Sequence, residues 1–278
     1  MQVPTMASRI ERRLLVNYRV TPESLEGVLP QPFRPRIVAG HAVAGICLIR
    51  LGALRPAGLP GWGGLRTENA AHRIAVEWDG PDGVRLGVYI PRRDTGARLT
   101  ALAGGRLFPG HHHLAAFSVR ERGNDLRVAY TAHDDAAHVD VDVTVTGRWP
   151  GSALFASLDD ASAFFREGAI GYSPGRAPGS LDGLELRTEA WRVEPVTVRS
   201  AVSSFFDDPR LFPPGAAVLD NALVMRDVAA GWRSLPRLDA GPASLGPQAA
   251  RGTPWTCAGR PWRRAVHCVM LAVVPLPG

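Results

Sequence analysis

Short segments in which apolar and polar residues alternate run along most of the chain, separated by turn-forming residues. A period of two is typical of β-strands that bury one face. Residues 73–78 and 84–90 flank the sequence Asp-Gly-Pro-Asp-Gly, which predicts a β-hairpin. Further strands are predicted at residues 42–51, 114–120, 126–132, 139–146, 184–193, 196–205 and 220–228. No alternation of strands with helices is evident, so the pattern favours meandering antiparallel strands.

Two short helices interrupt this pattern. Ser157 is a favoured capping residue, apolar positions with helical spacing follow it, and Gly168 ends the segment. A second short helix is predicted from Pro22, at the first helical position, to the residue before Pro30. The predicted fold class is therefore mainly β, a β-rich α+β fold with a few short helices.

The chain of 278 residues, 45% of them hydrophobic, is long enough to bury a sizeable core. Residues 1–238 are expected to form a single domain. Residues 239–278 are rich in Gly, Pro, Ala and Arg and lack periodicity, which predicts a low-complexity, mostly disordered C-terminal tail.

Lysine is absent, because all 32 basic residues are arginine. This excludes enzymes that need a lysine Schiff base or a P-loop lysine. The arginines are scattered among acidic residues, so no nucleic-acid partner is predicted. The chain also lacks a signal peptide, an apolar stretch long enough to span a membrane and a disulfide framework, so a cytoplasmic protein with no membrane partner is expected.

Three consecutive histidines, residues 111–113, follow a glycine-rich turn. In the strand after them, the apolar phase includes His111 and His113, which are expected to point inward. Three interpretations remain open: satisfied structural histidines, a pocket for chemistry, or a His-x-His zinc site that lacks an evident third ligand.

A second polar group precedes the hairpin and contains Glu68, Asn69, His72 and Arg73. These side chains could bind a polar substrate, and a solvated turn is the alternative. His72 shares its strand phase with apolar residues and is expected to face the same interior as His113.

Known enzyme motifs contribute little. Ser173 lies in a G-x-S-x-G pattern, but a helix precedes it and prolines follow it, which is the wrong context for a hydrolase nucleophile. The dinucleotide motif G-x-G-x-x-G and the zinc motif H-E-x-x-H do not occur. No cofactor and no metal are predicted.

Five segments together resemble a known family: ENAAHR at 68–73, GVYIPRR at 87–93, GGRLFPGHHH at 104–113, FFREGAIGYSPG at 164–175 and LDNALVMRDV at 219–228. They are similar to the domain of unknown function 2071 (YqjF-like) family of the acetoacetate decarboxylase-like superfamily. The resemblance implies an antiparallel, closed or nearly closed β-barrel with a central pocket.

Decarboxylases of that superfamily carry a G-R-E-x-x-G-x-P-K signature whose lysine forms a Schiff base. Gly105, Arg106 and Gly110 match three of its positions, and His113 falls where the lysine belongs. Since the chain has no lysine, the resemblance implies the pocket without imine chemistry.

The leading hypothesis is a cofactor-independent lyase, dehydratase, isomerase or cyclase that acts on a small oxo or carboxylate compound. In it His113 is the general acid or base, Arg106 binds the anion, and Glu68 assists. The substrate-binding candidates are His111, His72, Asn69 and Arg73. The alternative is a non-catalytic module that binds or senses a small ligand. Whether the chain forms a homo-oligomer stays undecided.

Overall fold

Thirteen strands dominate the part of the chain that a computed structural model describes, residues 5–60, 64–103 and 109–240. The strands are β1 Met6–Val20, β2 Arg34–Pro35, β3 Ile37–Val38, β4 His41–Pro56, β5 Leu65–Gly80, β6 Gly83–Thr95, β7 His112–Arg122, β8 Asp125–Ala132, β9 His138–Val145, β10 Ile170–Pro174, β11 Ser180–Thr188, β12 Glu194–Ser203 and β13 Ala217–Asp239. The prediction of a mainly β fold with a few short helices is confirmed.

Helices are few and short. They are α1, Arg98–Ala103, and α2, Leu158–Glu167, together with a single 3-10 turn at Pro22–Leu25. The helix predicted before Pro30 is limited to that turn, and Thr21 supplies no side-chain hydrogen bond to cap a longer one. Within the described residues, no helix combines the length and apolar character needed to cross a membrane.

Two long strands branch the sheet. One edge of β6 pairs with β5, while its other edge pairs with β10 near Val88 and with β7 from Arg93 to Thr95. In the same way, β13 pairs with β1 along one edge and with β12 and then β11 along the other. The pairing therefore closes into two circuits that share a wall, β6-β5-β4-β1-β13.

The larger circuit adds β7, β8, β9 and β12 to this wall, and the smaller circuit adds β10 and β11. Most pairs are antiparallel as predicted, but β6 pairs in parallel with both β7 and β10. Parallel neighbours need a crossover connection, and the segment between β6 and β7 includes α1.

The shared wall has a hydrophobic core on each face. On β4, Ala44, Ile46 and Leu48 belong to the core of the larger circuit, whereas Cys47 and Ile49 belong to the core of the smaller circuit. Successive strand residues point to opposite faces, so a strand between two cores is apolar at nearly every position. This explains the continuous apolar run at residues 42–51.

The smaller circuit is covered by α2. Ser157 caps this helix as predicted, because its side chain accepts a hydrogen bond from the Asp160 backbone N–H. Phe164 and Phe165 then pack into the core of the smaller circuit. The helix thereby helps to close the interior where the candidate site lies.

Candidate functional site

A cavity of about 120 Å³ lies inside the smaller circuit. Its polar lining includes residues of β1, β4, β5, β6 and β7: Arg13, Cys47, Asn69, Arg73, Arg93, Asp94 and His112. Apolar side chains such as Ile49, Ile90 and Leu186 make up most of the remaining wall. We call this the arginine cavity.

Arg73 is only 5% exposed and reaches the cavity from β5. It donates a hydrogen bond to Asn17 Oδ1, and its guanidinium lies 4.7 Å from the centroid of the Phe165 ring. Asn17 in turn donates to Asn221 Oδ1 over 2.7 Å. Burial lowers the pKa of Arg73 to about 10, so the group stays charged at neutral pH while burial makes that charge costly.

Arg93 and Arg13 complete the cationic lining. Arg93 Nε donates to Ser173 Oγ over 2.7 Å, and burial lowers the pKa of Arg93 to about 10. Arg13 Nε lies 3.5 Å from Cys47 Sγ, and its guanidinium lies over the Trp191 ring. Each arginine is therefore oriented by a neutral partner.

Carboxylates are missing around these three guanidinium groups. The described ranges contain every aspartate and glutamate of the chain, and within them no carboxylate lies within 4.0 Å of a nitrogen of Arg13, Arg73 or Arg93. The neighbouring arginines differ, since Arg12 pairs with Glu68 and Arg92 with Asp94. Asp94 also lines the cavity, but its carboxylate pairs with Arg92. Buried charges are normally paired, so a cavity lined by three cations without a carboxylate partner is suited to an anion.

His112 lies beside Arg93, its register partner on the parallel strand β6. Burial, followed by the charge of Arg93, lowers the pKa of His112 to about 3. The imidazole is therefore neutral at physiological pH. An anion bound at Arg93 would offset the repulsion and raise this pKa.

His72 and His113, which the sequence predicted to face one interior, both line a second cavity of about 130 Å³, together with Arg92 and Phe205. His72 is 1% exposed, its Nε2 lies 3.3 Å from Ser203 Oγ, and burial lowers its pKa to about 3. His113 is 31% exposed and its Nδ1 lies 2.9 Å from Asp134 Oδ2. We call this the histidine cavity.

The remaining predicted site residues are dispersed. Glu68 lies inside β5 and pairs with Arg12 at 2.6 Å and with Arg50. Asn69 lines the arginine cavity and accepts a hydrogen bond from Thr95 Oγ1 at 2.8 Å. His111 is exposed and contacts the His113 ring.

Arg106, the predicted anion-binding group, lies outside the described residues. Of the candidates that the structure describes, Arg73 and Asn69 line the arginine cavity, whereas His72 and His113 line the histidine cavity.

Sequence reasoning missed Arg13, Arg93, His112 and Cys47. A signal for the first three exists in the pairs 12–13, 92–93 and 112–113, where two polar residues follow each other inside strands, whereas Cys47 lies in an apolar run and has no such signal. Strand geometry sends one member of each pair to each face. Recognising this required knowing that both faces of the wall are buried.

Among the described residues, no group of three or more His, Cys, Asp and Glu side chains is arranged to hold a metal ion.

Comparison with protein-family models shows to which family the chain belongs. The sequence model of DUF2071, described as an uncharacterised conserved protein, matches residues 7–220. The chain belongs to the DUF2071 family. No curated protein matches this DUF2071 chain in sequence.

Solved structures show the fold of this DUF2071 protein. An acetoacetate decarboxylase-like enzyme from Sphingomonas wittichii RW1 aligns with a TM-score of 0.56 and 14% identity, covering 86% of this chain and 95% of that one. Acetoacetate decarboxylase from Legionella pneumophila aligns with a TM-score of 0.54 and 14% identity over 87% and 89% of the two chains. The enduracididine biosynthesis enzyme MppR, complexed with pyruvate, aligns with a TM-score of 0.55 and 14% identity over 87% and 91%. The DUF2071 chain therefore has an acetoacetate decarboxylase-like fold.

Proposed function

We propose that the arginine cavity binds a small oxo acid and that the protein moves a proton on it without a cofactor, as a lyase or isomerase does. The observation that carries this proposal is the convergence of Arg13, Arg73 and Arg93, none of them paired with a carboxylate, on one cavity. A substrate carboxylate would neutralise charges that the fold leaves unpaired. MppR, of the same fold, has been solved with pyruvate.

The volume sets the size of the ligand. A dry cavity of about 150 Å³ holds one benzene molecule, so about 120 Å³ is suited to an acid of similar or smaller size, such as pyruvate. The apolar remainder of the wall would contact the carbon end of the acid, while Arg73 and Arg93 bind its carboxylate.

The proton transfer is assigned to His112. Its imidazole is neutral and lies beside Arg93, so binding of the acid makes it a stronger base at the moment when the acid is in place. Removal of a proton from the carbon next to the oxo group leaves an enolate, whose negative charge a guanidinium stabilises. The sequence hypothesis gave these roles to His113 and Arg106; the present proposal gives them to His112 and Arg93.

Binding is tested by titration calorimetry with pyruvate. Arg93→Gln retains a donor for Ser173 and removes the charge, so pyruvate affinity should fall about 30-fold or more, the loss expected for about 2 kcal/mol at a buried ion pair. The control is Arg122→Gln, an exposed arginine of β7, which should bind pyruvate like the unaltered protein. Equal affinity in all three proteins would refute the anion site, and no binding at all would refute pyruvate as its ligand.

Proton transfer is tested separately. In D₂O, the protein should accelerate exchange of the methyl protons of pyruvate, followed by NMR. His112→Gln should slow this exchange about 100-fold or more, whereas His113→Gln should leave it nearly unchanged if His112 is the base. The opposite result would return the role to His113.

Binding without turnover is the second candidate. It is favoured by the strongly lowered pKa of His112, which makes the free imidazole a weak base. Pyruvate binding without methyl exchange would identify the protein as a binding or sensing module on this fold.

A further inference from the structure

Cys47 lies in the arginine cavity and takes no part in the proton transfer proposed above. It is a free, 8% exposed cysteine on β4, and its side chain contributes to the cavity lining. The inference that follows rests on the proposed function, because it needs a carboxylate in that cavity.

The surroundings of the sulfur are cationic. Arg13 Nε points at Sγ over 3.5 Å. An ionised Cys47 would also raise the pKa of Arg73 and of Arg93, which puts the sulfur within electrostatic reach of both. The sulfur therefore has cations on several sides.

A second observation points to a ligand at the same place. Arg73 is 95% buried and lines the cavity, yet among the described residues its guanidinium donates only one hydrogen bond, from Nη2 to Asn17. A buried charged group with donors left over costs free energy, and an acceptor atom of a ligand in the cavity would reduce that cost.

We propose that Cys47 is a nucleophile that attacks an electrophilic carbon of the carboxylate held in the arginine cavity. With an oxo acid, Sγ forms a bond to the carbonyl carbon while the C=O π bond breaks, and the thiol proton ends on the former carbonyl oxygen. The product is a hemithioketal, and the addition is reversible and consumes no other reactant. In a chain without lysine, this sulfur supplies covalent attachment to the oxo carbon.

Two alkylating reagents test the proposal, iodoacetate and iodoacetamide, which differ in charge and little in size. With each, Sγ bonds to the methylene carbon, iodide leaves with the electron pair of the C–I bond, and the thiol proton goes to solvent. Digestion and mass spectrometry follow Cys47 separately from Cys257 and Cys268, and glutathione gives the reference rates. The ratio of the iodoacetate rate to the iodoacetamide rate at Cys47 should exceed that of glutathione about tenfold or more, because cations concentrate the anionic reagent.

Variants assign the cause. Arg93→Gln should lower the ratio toward that of glutathione, and Arg122→Gln should leave it unchanged. Circular dichroism checks that both variants are folded. The comparison of the two reagents in the unaltered protein remains valid even if a variant does not fold.

Three outcomes of the alkylation experiment decide whether Cys47 is the nucleophile. A raised ratio at Cys47 supports the nucleophile, even where calorimetry shows no pyruvate binding and the oxo acid of the proposed function has to be replaced by another carboxylate. A ratio equal to that of glutathione, with pyruvate still bound in calorimetry, overturns the nucleophile and leaves the proposed function in place. Failure of both reagents to modify Cys47 overturns it as well.

Discussion

At the scale of single residues, adjacent residues of one strand line different cavities. His112 lines the arginine cavity while His113 lines the histidine cavity, and Arg93 and Arg92 divide in the same way. The alternation is a property of every extended strand and could be predicted. Which face holds cations without carboxylate partners could not be predicted, because the position of every carboxylate relative to them depends on the tertiary structure.

The buried histidine His72 makes stability depend on pH. Burial lowers its pKa to about 3 in the folded protein, against about 6.5 in the unfolded chain. Below pH 6.5 the unfolded chain gains the proton and the folded protein does not, so stability is lost as pH falls from about 6.5 toward about 3. Between about pH 7 and about pH 4.5, His72 alone should lower the free energy of unfolding by about 2–3 kcal/mol.

Urea unfolding at these two pH values measures the effect. The His72→Gln variant should show a loss smaller by that amount, because glutamine does not titrate. The exposed His138→Gln should behave like the unaltered protein. An identical pH dependence in all three would show that His72 does not stay neutral in the folded protein.

At the scale of elements, strands with clear alternation and the capped helix were predictable from local sequence. The strand β1 was not predicted, because its apolar residues are interrupted by arginines such as Arg12 and Arg13. Arg12 is tolerated there because Glu68 and Glu121 from other strands pair with it. Partners so distant in sequence leave no local signal.

The N-cap of α2 allows the contribution of a single helix cap to stability to be tested. Ser157 Oγ accepts the Asp160 N–H over 3.1 Å, and this hydrogen bond is lost in Ser157→Ala. The substitution should lower the free energy of unfolding by about 1 kcal/mol. Thermal unfolding measures it, with the exposed Ser118→Ala on β7 as the control; equal stability of the two variants would contradict the capping role.

At the scale of the whole molecule, the two circuits share five strands, which should make them unfold together. Leu126 on β8 belongs to the core of the larger circuit and Leu186 on β11 to that of the smaller. Each leucine-to-alanine substitution should lower the free energy of unfolding by about 2–5 kcal/mol, and each variant should still unfold in one transition.

Tryptophan fluorescence and far-ultraviolet circular dichroism, compared in urea, provide the measurement. The exposed Leu65→Ala should change stability little. Two separate transitions in either core variant would show that the circuits unfold independently.

The sequence by itself determined the strand-rich class, the helix that follows Ser157, the absence of lysine chemistry and the family resemblance, because each depends on local pattern or on composition. The tertiary structure decided that one wall separates two cores and that Arg13, Arg73, Arg93, His112 and Cys47 meet in a single cavity. The physical reason is that these residues lie on five different strands, β1, β4, β5, β6 and β7, which the chain reaches at positions far apart in sequence. Folding alone brings the charges of Arg13, Arg73 and Arg93 to one cavity, with no carboxylate within 4.0 Å of their nitrogens among the described residues.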